Sequence, residues 1–314
     1  MKNELAVRDW HWEVTKSCNL KCLHCILGGC GSQELTTQDS LRVISRIVQL
    51  GGKTLRITGG EPLMRKDLGL IIQEAHASGL DPDLITNGTM LDDDFLKNYR
   101  RHIKHMAISI DGQKQIHDYL RGKGAFERSI LSARKVLDAG IDLSIYVTVH
   151  SLNENSLDAL VEELISIGVR SFHFNEINME GRATKNRHLL LKKMDTSTRL
   201  NRILSQLQKS VDLGHVSRES GCSISADSVY LASDGGVYAC VELAFKAPEQ
   251  KIAGILDQES EGEIRRFFSG VVIPQKCVCR YSLFSMQGIS ILLNEPTICP
   301  IIKERRFDNE QSSA

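Results

Sequence analysis

From Glu13 to Glu176 six short β-type runs alternate with amphipathic helical runs, and no other feature of the chain narrows its possible folds so far. Trp12 to Thr15, Thr54 to Thr58, Asp83 to Thr86, Met106 to Ile110, Leu143 to Val149 and Ser171 to Asn175 read as strands. Between them, apolar residues at three- and four-residue intervals mark helices: Leu41, Ile44, Ile47, Val48; Leu68, Ile71, Ile72, Ala75; Phe126, Ile130, Ala133, Leu137; Leu157, Leu160, Val161, Leu164. A shorter helix is expected around Asp93 to Arg101. Strands joined through helices lie parallel. Six units fall two short of a closed eightfold barrel, so the expected fold is α/β, an open partial (β/α)6 TIM-like barrel. In such folds the working face is at the C-terminal ends of the strands. Polar groups gather there in this chain: Thr58-Gly59-Gly60-Glu61-Pro62, Thr86-Asn87-Gly88, Ser109-Ile110-Asp111-Gly112, Thr148-Val149-His150 and Asn175-Glu176.

The nine cysteines fall into two groups, Cys18, Cys22, Cys25 and Cys30, then Cys222, Cys240, Cys277, Cys279 and Cys299. No basic-then-apolar signal segment opens the sequence and no apolar run approaches bilayer length, so a cytoplasmic, reducing location is expected. There the thiols read as metal ligands rather than disulfides, and their distribution suggests two centres. Cys18, Cys22 and Cys25 are too few to close a tetrahedral zinc site or to fill a four-iron cluster, so one coordination position stays open. Two plainer readings compete: a structural zinc site with His24 as fourth ligand, and unpaired core thiols. Lys+Arg and Asp+Glu number 39 each, which points to neither nucleic acid nor a membrane surface as partner. With 41% hydrophobic residues in 314, a large core plus a smaller appendage is expected.

The spacing Cys18-x3-Cys22-x2-Cys25, with Asn19-Leu20 after the first cysteine and His24 before the last, resembles the cluster loop of the radical S-adenosylmethionine (SAM) superfamily. The resemblance implies that these three thiolates hold a four-iron, four-sulfur cluster whose fourth iron takes SAM, and that an electron from the cluster cleaves SAM to a 5'-deoxyadenosyl radical. Gly59-Gly60-Glu61-Pro62, after the second strand, resembles the family's SAM-contacting turn. Ser109-Ile110-Asp111-Gly112 with His117-Asp118-x-x-Arg121-Gly122 resembles the fourth-strand segment of its peptide-modifying branches. Ser109 would then face SAM's ribose or carboxylate, and Arg121, or failing it Arg134, would pair with the carboxylate. Asn87 and Thr148 are further cofactor contacts in this reading, each with an ordinary turn or strand-end role as the alternative. Glu176 and Asp111 are the carboxylates expected nearest a polar substrate, against a structural salt bridge, while His150 and His173 read as packed or surface groups.

The region from Cys222 to Cys240 holds a hairpin, an apolar strand, the turn Asp234-Gly235-Gly236 and a second strand, and resembles the opening of SPASM and Twitch extensions. A small C-terminal α+β domain with one auxiliary 4Fe-4S cluster is implied, ligated by Cys222, Cys240 and two of Cys277, Cys279 and Cys299. Alternate residues of an extended chain point apart, so Cys277 and Cys279 would not both bind it, and the spare one is a candidate hydrogen-atom donor or an inert thiol. The expected boundaries are 1–215 for the barrel, 216–302 for the cluster domain and 303–314 for a mobile tail. The resemblance implies a radical SAM enzyme with a flavodoxin- or ferredoxin-type electron donor. Its substrate would be a ribosomally made precursor peptide that is epimerised, oxidised or cross-linked. The alternatives are an aminosugar-type dehydrogenase or epimerase and, remotely, a non-enzymatic iron-sulfur protein.

Overall fold

A computed structural model describes residues 7–27, 34–177, 180–190, 215–217, 228–246 and 248–270. Its first strand, β1 (Asp9–Thr15), begins three residues before the expected start because Trp10 already joins the alternation of inward and outward side chains. Trp10, Trp12 and Val14 are fully buried against the helices, whereas His11, Glu13 and Thr15 lie on the other face. The same alternation holds in β2 (Thr54–Gly59), β3 (Asp81–Thr86), β4 (His105–Ser109), β5 (Asp142–Val149) and β6 (Ser171–Glu176). Leu55, Ile57, Leu84, Met106, Ile108, Ile145, Val147 and Phe172 enter the core with the apolar stripes of the helices.

Those helices are α1 (Thr37–Gln49), α2 (Leu68–Ala77), α3 (Asp93–Tyr99), α4 (Lys114–Arg121), α5 (Ala125–Asp138) and α6 (Leu157–Ser166). Thr36 caps α1 by accepting from the Asp39 amide at 3.1 Å, and Asp92 caps α3 by accepting from the Phe95 amide at 2.7 Å. Helix α4 was not expected. Its eight residues carry only two buried side chains, His117 and Leu120, too few for a periodic signal.

Strands β1 to β6 are parallel and in sequence order, and the crossovers through the helices leave the concave face of the partial barrel free. The fold is the expected partial barrel, and the sheet runs on past it at both edges. β7 (His215–Ser217) pairs parallel with β6. At the other edge β8 (Ser228–Leu231) pairs parallel with β1, in register from Asp9↔Ser228 to Trp12↔Leu231. β8 and β9 (Gly236–Tyr238) form the expected hairpin, followed by α7 (Val241–Lys246), β10 (Ala253–Gly254) and α8 (Ser260–Gly270). The described residues thus form one ten-stranded sheet, with the hairpin joined to the barrel strands. The helix expected near Leu200 to Val211 and the tail 303–314 lie outside the described residues, and the expected 215/216 boundary falls within β7.

At the N-terminal ends of the strands the concave face carries a polar chain. His11 meets Arg56 at 2.9 Å, Arg56 pairs with Asp83 at 2.9 Å, and Asp83 meets His105 at 2.6 Å. His105 contacts Ser144, and Ser144 donates to Ser171, both at 2.8 Å. All six barrel strands contribute one residue to this floor.

Candidate active site

The cysteine loop leaves the end of β1 and is gripped at once by the turn that follows β2. Gly60 N donates to Thr15 O at 2.7 Å and Glu61 N to Ser17 O at 2.8 Å. A side chain on Gly60 would collide with the Ser17 and Lys16 carbonyls, so glycine is required here by the loop. Gly59 closes β2 against the backbone of Thr15. Pro62 is buried and opens a 3₁₀ turn. Glu61 is fully buried and accepts from Thr86 Oγ1 at 2.6 Å, Asn87 N at 2.8 Å and Leu63 N at 3.1 Å. Burial raises its pKa, and those three donors pull the other way. Its carboxylate therefore ties the ends of β2 and β3 together.

Asn87 extends the tie to the loop. Its Nδ2 donates to Asn19 Oδ1 at 2.9 Å, and Asn19 Nδ2 donates to Thr89 Oγ1 at 2.8 Å. Thr89 in turn donates through N and Oγ1 to Asn87 Oδ1. The residue expected to touch adenosine or shape the turn does the second in this structure.

Cys22 is 7% exposed, Cys18 and Cys25 are half-buried, and all three are free thiols. Cys18 Sγ accepts from Leu20 N at 3.4 Å. Burial pushes the Cys22 thiol up to about 11, against the pull of the nearby Arg121 guanidinium. Zinc needs its ligands to converge on one point, and no three His, Cys, Asp or Glu side chains do so among the described residues. His24 faces Asp111, with Nε2 3.5 Å from Oδ2, instead of joining the thiols. A four-iron cluster takes each thiolate on a different iron, so three thiols that do not converge on one point, with no fourth ligand among the described residues, suit a cluster with one open iron better than zinc.

Behind the loop lies a buried ion pair. Asp111 is fully buried, and its Oδ2 accepts from Arg121 Nε at 2.6 Å while Oδ1 accepts from Thr148 N at 2.9 Å. Burial opposes ionisation of Asp111, but the Arg121 guanidinium outweighs it and holds the carboxyl far below the usual range. Burial likewise pushes His24, His117 and His150 down to about 4 each, so all three are neutral at pH 7. The backbone amides of Asp111 and Leu152 donate to Nδ1 of His117 and His150, which puts the proton of each neutral ring on Nε2. Of the two roles expected for Asp111, a substrate-facing carboxylate or a structural salt bridge, the geometry shows the pairing: it is fully buried against Arg121.

Ser109 ends β4 opposite Tyr146, half-buried on the concave face, and Thr148 stands one register further toward the mouth. Glu176 ends β6 opposite Val149. His173 is stacked on Tyr146, with ring centroids 4.5 Å apart. Cys240 follows β9 and is partly buried, whereas Cys30, Cys222, Cys277, Cys279 and Cys299 lie outside the described residues. The hairpin brings one group unforeseen from sequence: Tyr230 OH donates to Glu13 Oε2 at 2.7 Å across the β1–β8 seam. The turn Gly181–Lys185 after β6 braces the cysteine loop from the far side, with Arg182 N donating to Cys25 O at 2.9 Å.

The residues thus define a three-thiol loop at the C-terminal end of the first strand of a parallel-stranded partial barrel. Residues 12–164 match the family model of the Radical SAM superfamily. Among curated proteins the chain is similar to Fe-coproporphyrin III synthase of Methanosarcina barkeri, 28% identical over 179 residues that cover 55% of this chain and 45% of the relative. It is also similar to PqqA peptide cyclase of Ruegeria pomeroyi, 30% identical over 203 residues, 62% of this chain and 54% of the relative. The chain thus spans about half the length of the curated relatives it matches. Among solved structures, SuiB of Streptococcus suis bound to S-adenosylmethionine aligns with a TM-score of 0.68 over 84% of this chain and 68% of that one. At 15% identity this is a likeness of fold.

Proposed function

We propose that the protein is a radical SAM enzyme acting on a ribosomally made peptide, with Cys18, Cys22 and Cys25 as the ligands of its SAM-binding 4Fe-4S cluster. Cluster and SAM together would supply a 5'-deoxyadenosyl radical for hydrogen abstraction. The chain's own residues hold and shape the site. Gly60 lets the loop close onto the strand ends, Glu61 and Asn87 fix the wall beside it, and Ser109 and Thr148 line the mouth. Asp111 engages the Nε edge of Arg121 and leaves the terminal nitrogens for an anion such as the carboxylate of SAM. Cys240 is a ligand of an auxiliary cluster, with Cys222 and two of Cys277, Cys279 and Cys299, and a flavodoxin- or ferredoxin-type protein delivers electrons.

The observation that carries the peptide reading is the charge state of the concave face. Arg56 is committed to Asp83, Lys16 stands 3.9 Å from Glu13, and the Arg121 nitrogens that Asp111 leaves open are assigned to the carboxylate of SAM. A porphyrin bearing several carboxylates calls for uncommitted cations. Around Thr58, Ser109, Tyr146, Thr148 and Asn175 the described face instead offers neutral hydrogen-bonding groups, which suit peptide amides. The test begins with iron and sulfide content after anaerobic reconstitution of the wild type and of a Cys18/Cys22/Cys25→Ala triple variant, each then assayed for reductive SAM cleavage. Roughly eight irons falling to about four, with cleavage abolished, is the expected result. Zinc in place of iron, or an unchanged triple variant, would overturn the reading. For the substrate, peptide-dependent formation of 5'-deoxyadenosine is expected, and turnover of a porphyrin instead of any peptide would overturn that part.

A further inference from the structure

The cysteine loop has little structure of its own: its one internal backbone bond between described residues of the cysteine triad runs from Cys25 N to Cys22 O at 3.3 Å. Its carbonyls are held by the 3₁₀ turn Gly181–Lys185 that follows β6. Arg182 reaches two of them at once. Its backbone N donates to Cys25 O at 2.9 Å, and its side-chain Nε donates to Cys22 O at 2.9 Å. Asn186 Nδ2 takes the intervening carbonyl, Leu23 O, at 3.0 Å and ties itself to Arg182 O at 2.9 Å. Gly181, at φ +56°, lies so close beneath the Ile26 and Cys25 carbonyls that any side chain would lift the loop. Under the same segment Leu23 packs on a small apolar cluster of Leu120, Ile177, Ala183 and Leu189, separate from the main core.

We propose that Arg182 is a positioning residue for the metal centre: it draws the Cys22 and Cys25 carbonyls to one side and so fixes where the thiols point. The proposal rests on the reading of Cys18, Cys22 and Cys25 as cluster ligands. Turning the carbonyls toward a guanidinium keeps their negative ends from facing the thiolates, which matters most when the centre gains an electron. Lysine cannot reproduce this, because a single flexible ammonium replaces a rigid planar donor. The guanidinium also adds a fixed positive charge beside the loop, which favours the reduced state.

The test uses the full chain with R182A, R182K and N186A. In cluster-free protein, amide exchange over the loop 18–27 is expected to rise several-fold in R182A while β1 to β6 keep their protection. After reconstitution, release of iron to a chelator is expected to quicken by about tenfold or more in R182A, the usual scale for groups that orient ligands. R182K should release iron nearly as fast as R182A, yet keep a reduction potential closer to the wild type. N186A should show a smaller change in both. Wild-type exchange and iron release in R182A would overturn this proposal alone. A loss of protection throughout the sheet would also overturn it, by making Arg182 a support of the whole fold. A wild type that takes up no iron would overturn the cluster reading itself and this inference with it.

Discussion

Asp111 shows how a single residue changes meaning once its neighbours are placed. Removing its charge strands the Arg121 guanidinium in a buried site, so D111N is expected to lose about 3–5 kcal/mol of stability at pH 7, measured by urea unfolding. A depressed folded pKa contributes stability above the unfolded value, about 3.9, that is lost as pH falls toward the folded one. D111N should therefore unfold less steeply with acid than the wild type, and an unchanged acid profile would remove Asp111 from the ion pair. Gly60 carries a related lesson. The first groups a side chain there would meet are the Ser17 and Lys16 carbonyls, so G60V is expected to lower iron loading before any effect on SAM affinity can be read. Sequence identified these residues by motif and spacing. It could not give their partners, because Asp111 meets Arg121 only once the eight residues of α4 are wound between them, and Glu61 meets Asn87 only when β2 and β3 lie side by side.

At the scale of elements, the β1–β8 seam joins residues more than two hundred positions apart through Glu13 and Tyr230. Burial raises the pKa of Glu13, while Tyr230 and Lys16 lower it. The folded chain thus holds that proton more tightly than the unfolded one, and the group's contribution is complete below the ordinary carboxylate pKa of about 4.3 and lost as pH rises through the folded value. E13Q keeps an acceptor for the tyrosine hydroxyl and carries no charge. Its melting temperature should fall less than that of the wild type as pH rises above the ordinary carboxylate range, and parallel curves would show that the fold does not raise the Glu13 pKa. Hydrophobic periodicity located the strands and the long helices, because their buried faces repeat. It missed α4, which buries two side chains, and it could not say that the hairpin continues the barrel sheet, since pairing between β8 and β1 leaves no local mark.

For the molecule as a whole, the apolar core between sheet and helices contains none of the three loop cysteines. Removing the three thiols should therefore leave the barrel folded, in contrast to small metal-dependent domains. The Cys18/Cys22/Cys25→Ala variant is expected to keep its far-ultraviolet circular dichroism and a cooperative thermal transition, and a collapse of both would mean that the centre is needed to fold. The partial barrel was readable in advance because six strands and their crossovers obey simple rules of order and handedness. The seating of the loop was not, because it depends on groups from four later segments, around residues 60, 87, 121 and 182.

That dependence sets an order on biosynthesis. The bond from Arg182 to Cys22 spans 160 residues, a stretch that a ribosome takes roughly 8 to 30 s to translate. During that interval the three thiols have emerged while their brace does not yet exist. Iron offered to the nascent chain would meet a loop free to bind it in any geometry, so a correctly built centre requires that delivery wait until translation has passed the turn after the sixth strand.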